Sequence, residues 1–320
     1  MHTIDEIQKR GQMIDKMIDQ LLPITRPKEL YLASRHLVNA GGKRLRPAML
    51  ILAAESVNGD IKKVLPAAFS IELVHNFTLI HDDIMDQDTL RRGAPTVHVK
   101  WGLPAAILAG DTLYSKAFEI LASVDADSDR IVQCLKVLAN ICADICEGQW
   151  MDMTFVGSAE VSEADYMEMV EKKTAVLFAA STLIGGILSG CTEEEADAFW
   201  EIGRTTGLGF QIRDDVLDLI TPKERLGKNR GSDLIEGKKT LIAIHALKKG
   251  VELEHLTRGA SEEEIDAVVQ KLHESGSIDY AMKKAHQLVE KGKAKLDVLP
   301  DSRAKELLKE LAEYMVTRTY

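Results

Sequence analysis

The chain has 320 residues, 45% hydrophobic, 28% charged and only 5% aromatic, with a formal net charge of −10. That composition suits a soluble globular protein with a large core, and the acidic balance excludes general nucleic-acid binding. The cations gather in knots (Lys43-Arg44-x-Arg46, Arg91-Arg92, Lys172-Lys173, Lys228 to Lys239), which suits a small anionic ligand better than a polymer. The four cysteines, Cys134, Cys142, Cys146 and Cys191, show no Cys-x-x-Cys spacing and read as reduced thiols. The first residues lack a basic segment followed by an apolar one, so no secretory signal is read and the expected compartment is the cytoplasm.

Apolar residues recur at helical spacing almost throughout, and no alternating β-branched run bounded by turn pairs appears. The expectation is an all-α protein of ten to thirteen helices forming one domain over 1–320, because no linker rich in Pro, Gly or Ser interrupts it. The first landmark is Gly41-Gly42-Lys43-Arg44-Leu45-Arg46-Pro47, three cations beside a glycine turn just ahead of an apolar helix. Helix N-termini attract anions, although a solvated turn would look the same, and no P-loop pattern is present.

Next comes an acidic helix over Ile71 to Asp88, carrying Asp82-Asp83-Ile84-Met85-Asp86. At about 100° per residue, Asp82 and Asp86 stand one above the other, with His75 and Leu79 on the same stripe. Like charges at that spacing repel, and the apolar flank Phe77-Thr78-Leu79-Ile80 makes an uncompensated carboxylate costly. A hard divalent cation such as Mg²⁺, which favours oxygen ligands, answers both problems. Arg91-Arg92-Gly93 follows at once; the two guanidinium forks match phosphate oxygens or simply neutralise the aspartates.

Further on, Glu147-Gly148-Gln149-x-x-Asp152 ends a helix, and Lys172-Lys173-Thr174 opens an uncharged stretch to Thr192. Both are weak signals alone. The stretch approaches bilayer-spanning length, but its Ser, Thr and Gly content and flanking charges make it a buried central helix, with no integral membrane segment. Ser162 and Thr192, each followed by early acids, read as helix caps. The second acidic helix reads Gly209-Phe210-Gln211-Ile212-Arg213-Asp214-Asp215-Val216-Leu217-Asp218. Gln211, Asp214, Asp215 and Asp218 form one stripe. The loop Gly227-Lys228-Asn229-Arg230-Gly231 and Lys238-Lys239 follow, suited to closing over a metal-bound phosphate.

In order and spacing, this set resembles the trans-isoprenyl diphosphate synthases: Gly-Gly-Lys-x-x-Arg-Pro, a His seven before Asp-Asp-x-x-Asp, Arg-Arg-Gly, Gly110-Asp111, Lys-Thr, and Phe-Gln-x-x-Asp-Asp-x-x-Asp with its lysine loop. The likeness runs from Gly41 to Lys239 without departure in the core motifs. It implies an isoprenoid-synthase-type helical bundle around a deep central cavity, usually a homodimer, condensing isopentenyl diphosphate head-to-tail with an allylic diphosphate. By the same resemblance, Asp82, Asp86 and Asp214 would hold Mg²⁺, about three ions, with Asp83, Asp215 and Asp218 in support. Arg91, Lys173, Lys228 and Lys238 would bind the allylic diphosphate. Lys43, Arg46, His75 and Arg92 would bind isopentenyl diphosphate. Thr174 and Gln211 would lie near the allylic cation, with Lys173 counted among the catalytic residues.

Product length would be set below the first motif, where Phe77 and Thr78 precede Asp82 by five and four residues. An aromatic followed by a small residue there resembles archaeal-type geranylgeranyl diphosphate synthases, with farnesyl or longer products as alternatives. The helical wheel puts Phe77 about 140° from Asp82, so plain core packing stays open. A class I terpene cyclase would lack the second Asp-rich motif and the second diphosphate pocket. An HD-type metal phosphohydrolase would use His81-Asp82 with His36 or His75 and leaves the second motif unexplained. An inert partner subunit should have lost one motif, and neither is lost.

Overall fold

The structure, a computed structural model, describes residues 2–156, 158, 160–221, 230–253 and 260–319. Among them are sixteen α-helical segments and one two-residue strand pair, Leu90–Arg91 with Ala94–Pro95. Three of the segments (Ile18–Leu21, Val97–Trp101, Ser232–Ile235) are one turn or little more, and the other thirteen are the helices that apolar periodicity announces. The fold is all-α. No helix of the described residues is long and apolar enough to cross a membrane.

The chain forms two compact units, Met1–Cys142 with Ala180–Trp200 and Leu296–Leu308, and Ala143–Ala179 with Glu201–Lys295 and Lys309–Tyr320. No linker marks the division because it falls inside continuous helices, among them Ser128–Phe155 and Glu193–Ile220.

The first unit is built on the helix Ile61–Met85. Asp60 caps it, accepting from Lys62 N at 2.9 Å, and the helix is apolar on nearly every side. Such a helix is stable only when surrounded. Leu45–Ser56, buried almost along its length, packs on one side, and Leu103–Ala122, whose Ala106, Ala109, Gly110, Leu113 and Ala117 are buried, on another. Among the polar groups this burial includes, Arg44 donates to Glu72 Oε1 at 2.5 Å and to the Val38 carbonyl at 2.6 Å, and Asn76 donates to the same Glu72 oxygen at 2.9 Å. Arg44 is thus a structural cation. It anchors the start of Leu45–Ser56 from a left-handed backbone (φ +50°) and leaves Lys43 exposed and Arg46 half-buried.

In the second unit, Ser162 and Asp165 form a reciprocal capping box at the start of Glu163–Val170. The chain then runs through one π turn, Glu171–Ala175, before the apolar helix Val176–Ser189. Single π turns recur at functional sites because they re-aim side chains within a helix. Two close backbone approaches hold this one: a Cβ on Gly148 would collide with the backbone nitrogen of Lys173, and one on Gly207 would stand 2.6 Å from Ala175 Cα.

Candidate active site

The first acidic helix is longer than its sequence pattern suggests and stops earlier, at Met85 rather than Asp88. The stop is a Schellman closure: Gln87 is left-handed (φ +58°) and Asp88 N donates to Asp83 O at 3.0 Å. Asp86 is therefore the C-cap, still in register with Asp82, to whose carbonyl its N–H donates at 2.8 Å. Asp83 is fully buried. Burial pushes its carboxyl up to about 6, although Arg91 Nε donates to Oδ1 at 2.6 Å and opposes the shift. Arg91 also reaches Asp88 at 3.1 Å and lies 3.9 Å from Asp82. In this unit it is a counter-ion of the acidic motif, placed by a hairpin whose two turn residues, Arg92 and Gly93, both have positive φ (+54° and +75°).

Arg92 points elsewhere. Its guanidinium donates to the carbonyls of Leu37 (3.1 Å) and Gly41, and lies where a Cβ on Gly42 would be, 3.1 Å from Cζ. Arg46 Nη1 stands 3.4 Å from His75 Nε2, and the charges of Arg46 and Arg92 act with burial to keep the imidazole well below its usual range, neutral at pH 7. The glycine–lysine–arginine motif, His75 and Arg92, separated by up to half a hundred residues in sequence, are thus one neighbourhood. His81 does not join it. Its ring lies over Gly110, with Nε2 3.3 Å from Ile107 O and 3.9 Å from Asp111. His36 Nε2 is 2.8 Å from Pro95 O, so the histidines that a phosphohydrolase would need point to different partners. Phe77 is buried, edge-on to His81 and to Tyr114 of the helix Leu103–Ala122 at 5.7 and 5.4 Å, and Thr78 Oγ1 donates to His75 O.

In the second unit, Gln211 joins two candidate residues. Thr174 Oγ1 donates to its Oε1 at 3.1 Å, and its Nε2 donates to Asp215 Oδ1 at 3.0 Å. Tyr166, itself buried, donates to the other Asp215 oxygen at 2.6 Å. Burial, with the charge of Asp233 next, raises the Asp215 carboxyl to about 8. Asp218 accepts from Ser232 Oγ (2.8 Å) and from the N–H of Asp233 (3.1 Å), tying the far side of the loop to the helix. Lys173 Nζ donates to Asp152 at 2.6 Å, and Lys238 lies 3.1 Å from Glu236 and 3.6 Å from Asp233. The Glu147–Asp152 segment runs into the last turn of the helix Ser128–Phe155, as its pattern implies, and Asp152 there meets Lys173 of the π turn. Lys228 lies outside the described residues. Sequence reading did not single out Tyr166 or Arg318, which pairs with Asp214; nothing in the local pattern of either announces a distant partner.

Among the described residues no three His, Cys, Asp or Glu side chains gather as a metal cluster. Mg²⁺ does not ask for one: it keeps several waters and takes one or two carboxylates plus substrate phosphates. Asp82 and Asp86 on the first motif, and Asp214 on the second, each offer the hard carboxylate oxygens that such an ion takes.

Residues 27–274 match the sequence pattern of the polyprenyl synthetases. The chain is 58% identical, over its whole length and 99% of the relative's, to a geranylgeranyl diphosphate synthase of Methanosarcina mazei. It is 47% identical to a geranylfarnesyl diphosphate synthase of Natronomonas pharaonis, over 100% of this chain and 98% of the relative. It also superposes on a geranylgeranyl pyrophosphate synthetase from Geoglobus acetivorans with a TM-score of 0.92 at 47% identity, covering 98% of this chain and 99% of that one. With its two aspartate motifs and the cationic neighbourhood of His75 in place, the chain belongs to the polyprenyl synthetase family and is a prenyltransferase.

Proposed function

We propose that this prenyltransferase condenses isopentenyl diphosphate head-to-tail with an allylic diphosphate, giving geranylgeranyl diphosphate, and that both units act as one catalytic domain. The observation that carries the reading is the convergence of Arg46 and Arg92 on a neutral His75, two helical turns before Asp82. It supplies a second anion site whose donors sit on carbonyls and an imidazole. A one-substrate diphosphate lyase has no use for it. Lys43, Arg46, His75 and Arg92 hold isopentenyl diphosphate there.

Asp82, Asp86 and Asp214 hold Mg²⁺, supported by Asp83, Asp215 and Asp218. When bound, the ions neutralise the charge that builds on the departing diphosphate, which is stronger in the transition state than in the substrate. Arg91, Lys173, Lys228 and Lys238 bind that diphosphate. The three described here hold carboxylates in the structure, so each exchanges a carboxylate for phosphate when substrate enters. Thr174 and Gln211, hydrogen-bonded together, place their oxygen dipoles toward the allylic cation. Phe77 limits chain growth. Its packing against Tyr114 gives it a fixed wall behind, and the geranylgeranyl name of the Methanosarcina mazei relative supports a twenty-carbon product.

A second copy of the chain would cover Leu103, Ile107 and Tyr114, which form an exposed apolar stripe on one helix. Sedimentation of wild type beside Ile107→Asp tests this homodimer. The reaction itself is tested by incubating the protein with labelled isopentenyl diphosphate, Mg²⁺ and each allylic primer, then separating products by length. A dominant twenty-carbon product is expected; no condensation with any primer sinks the reading.

A further inference from the structure

The second acidic motif contains a cation that its sequence neighbourhood does not supply. Arg318 follows the helix Arg303–Thr317, and its Nη2 pairs with Asp214 Oδ1. The guanidinium carbon lies 4.2 Å from the centre of the Phe210 ring, one turn before Asp214. The clasp is two-sided, because Arg213 donates to the Arg318 carbonyl through Nε at 2.9 Å and Nη2 at 2.7 Å. The Arg318 side chain is 7% exposed while that of Asp214 is 38% exposed, so solvent reaches the carboxylate and hardly touches the cation. An arginine on a surface ion pair keeps its water. This one has given it up for an aromatic face and a carboxylate, a built position and not a passing contact.

Asp214 and Asp218 stand four apart on one helical face, and like charges at that spacing repel. Tyr166 and Gln211 satisfy Asp215, and Ser232 with the Asp233 N–H satisfies Asp218, but these are neutral donors. Asp214, the member read above as a metal ligand, takes a full positive charge, the guanidinium of Arg318.

We infer that Arg318 is a positioning residue of the second motif, a resident cation that holds Asp214 in its metal-free orientation and that Mg²⁺ must displace from the carboxylate. The inference rests on the reading of Asp214 as a ligand. It makes metal loading an exchange of one cation for another, so the arginine sets the concentration of metal at which the second motif fills.

The test uses the full-length protein without substrate and Mn²⁺ as a probe that electron paramagnetic resonance can count. Arg318→Gln should bind Mn²⁺ about three- to ten-fold more tightly than wild type, the effect of removing one competing ion pair. Arg318→Gln on an Asp214→Asn background should gain nothing over Asp214→Asn alone. Unchanged or weaker binding in Arg318→Gln overturns the inference, as does the same gain without Asp214. If Asp214→Asn itself binds Mn²⁺ like wild type, the ligand reading fails first, and the two failures are told apart. Should Arg318→Gln not fold, the Arg318 Nε–H resonance of the wild-type protein serves instead: it should move on titration with Mg²⁺, and a resonance that stays put overturns the proposal.

Discussion

In the first acidic helix the counter-charge to Asp83 is Arg91, eight residues away and delivered by a local hairpin. In the second, Asp215 meets Tyr166 from 49 positions away and Asp214 meets Arg318 from 104. The same Asp-Asp-x-x-Asp pattern thus takes its arginine from close by in one unit, while in the other near donors (Gln211, Ser232) are joined by partners from far along the chain. The difference teaches that one motif can be held by different partners in different surroundings. The first motif also closes its helix, with Asp86 at the C-cap, while the second lies within a helix ending at Ile220.

The largest expected effect treats the two motifs as equals. Asp82→Ala and Asp214→Ala should each lower turnover by at least about 10³-fold with helicity by circular dichroism retained, because on the proposed reading each removes an oxygen donor to ions that stabilise the transition state more than the substrate. Turnover near wild type in either variant would show that the motifs do not share the work. The next effect separates the adjacent arginines. Arg92→Ala should raise KM for isopentenyl diphosphate about ten- to a hundred-fold, the worth of a charge-assisted contact, while Arg91→Ala should act on the allylic substrate. A uniform change in both KM values for both variants would merge the two proposed anion sites into one.

Much of this was legible because it is local. Helical periodicity gave the all-α fold, Ser162 and Thr192 cap helices as their spacing implied, and the two aspartate stripes stand on helices. The neighbourhood of Arg46, His75 and Arg92 required order along the chain as well as composition. What stayed hidden depends on distance in sequence. Asp152 read as the end of a helix, and that pattern held no sign of its partner Lys173, while Arg44, one of three cations in a knot, proved to be buried on Glu72. The division into two units was invisible because it runs through helices whose composition does not change there.

Phe77→Ala probes the first unit at a smaller scale, moving the main product one isoprene unit longer if the ring is the floor. An unchanged chromatographic profile would leave Phe77 as core packing between Tyr114 and His81. Tyr166→Phe probes the second. It leaves one oxygen of the buried Asp215 without its donor and should cost about 1–3 kcal/mol in urea unfolding. A variant as stable as wild type would mean that the motif tolerates the loss of its long-range partner, and the contrast between the units would shrink.

The smallest effect concerns what holds the π turn. Arg204 donates to both oxygens of Glu201 (3.0 and 2.9 Å) and reaches Glu171, the first residue of that turn, at 2.7 Å, while Lys291 pairs with Glu201 at 3.0 Å. The hydrogen bond from Arg204, more than any other influence, lowers the Glu201 carboxyl from 4.5 to about 2. The folded state therefore binds this proton less readily than the unfolded chain. Its stabilising contribution is complete above about 4.5 and is lost as pH falls through that window toward 2. Glu201→Gln should be less stable than wild type at pH 7 by about 1 kcal/mol, as expected for a partly buried pair, and should lose less stability on acidification from pH 4.5 to 2.5. Denaturant midpoints at pH 7, 4.5 and 2.5 measure both quantities. If the two proteins lose stability in parallel across that window, the network contributes nothing to folding, and the π turn with Lys173 and Thr174 is held by the close approaches of Gly148 and Gly207 alone.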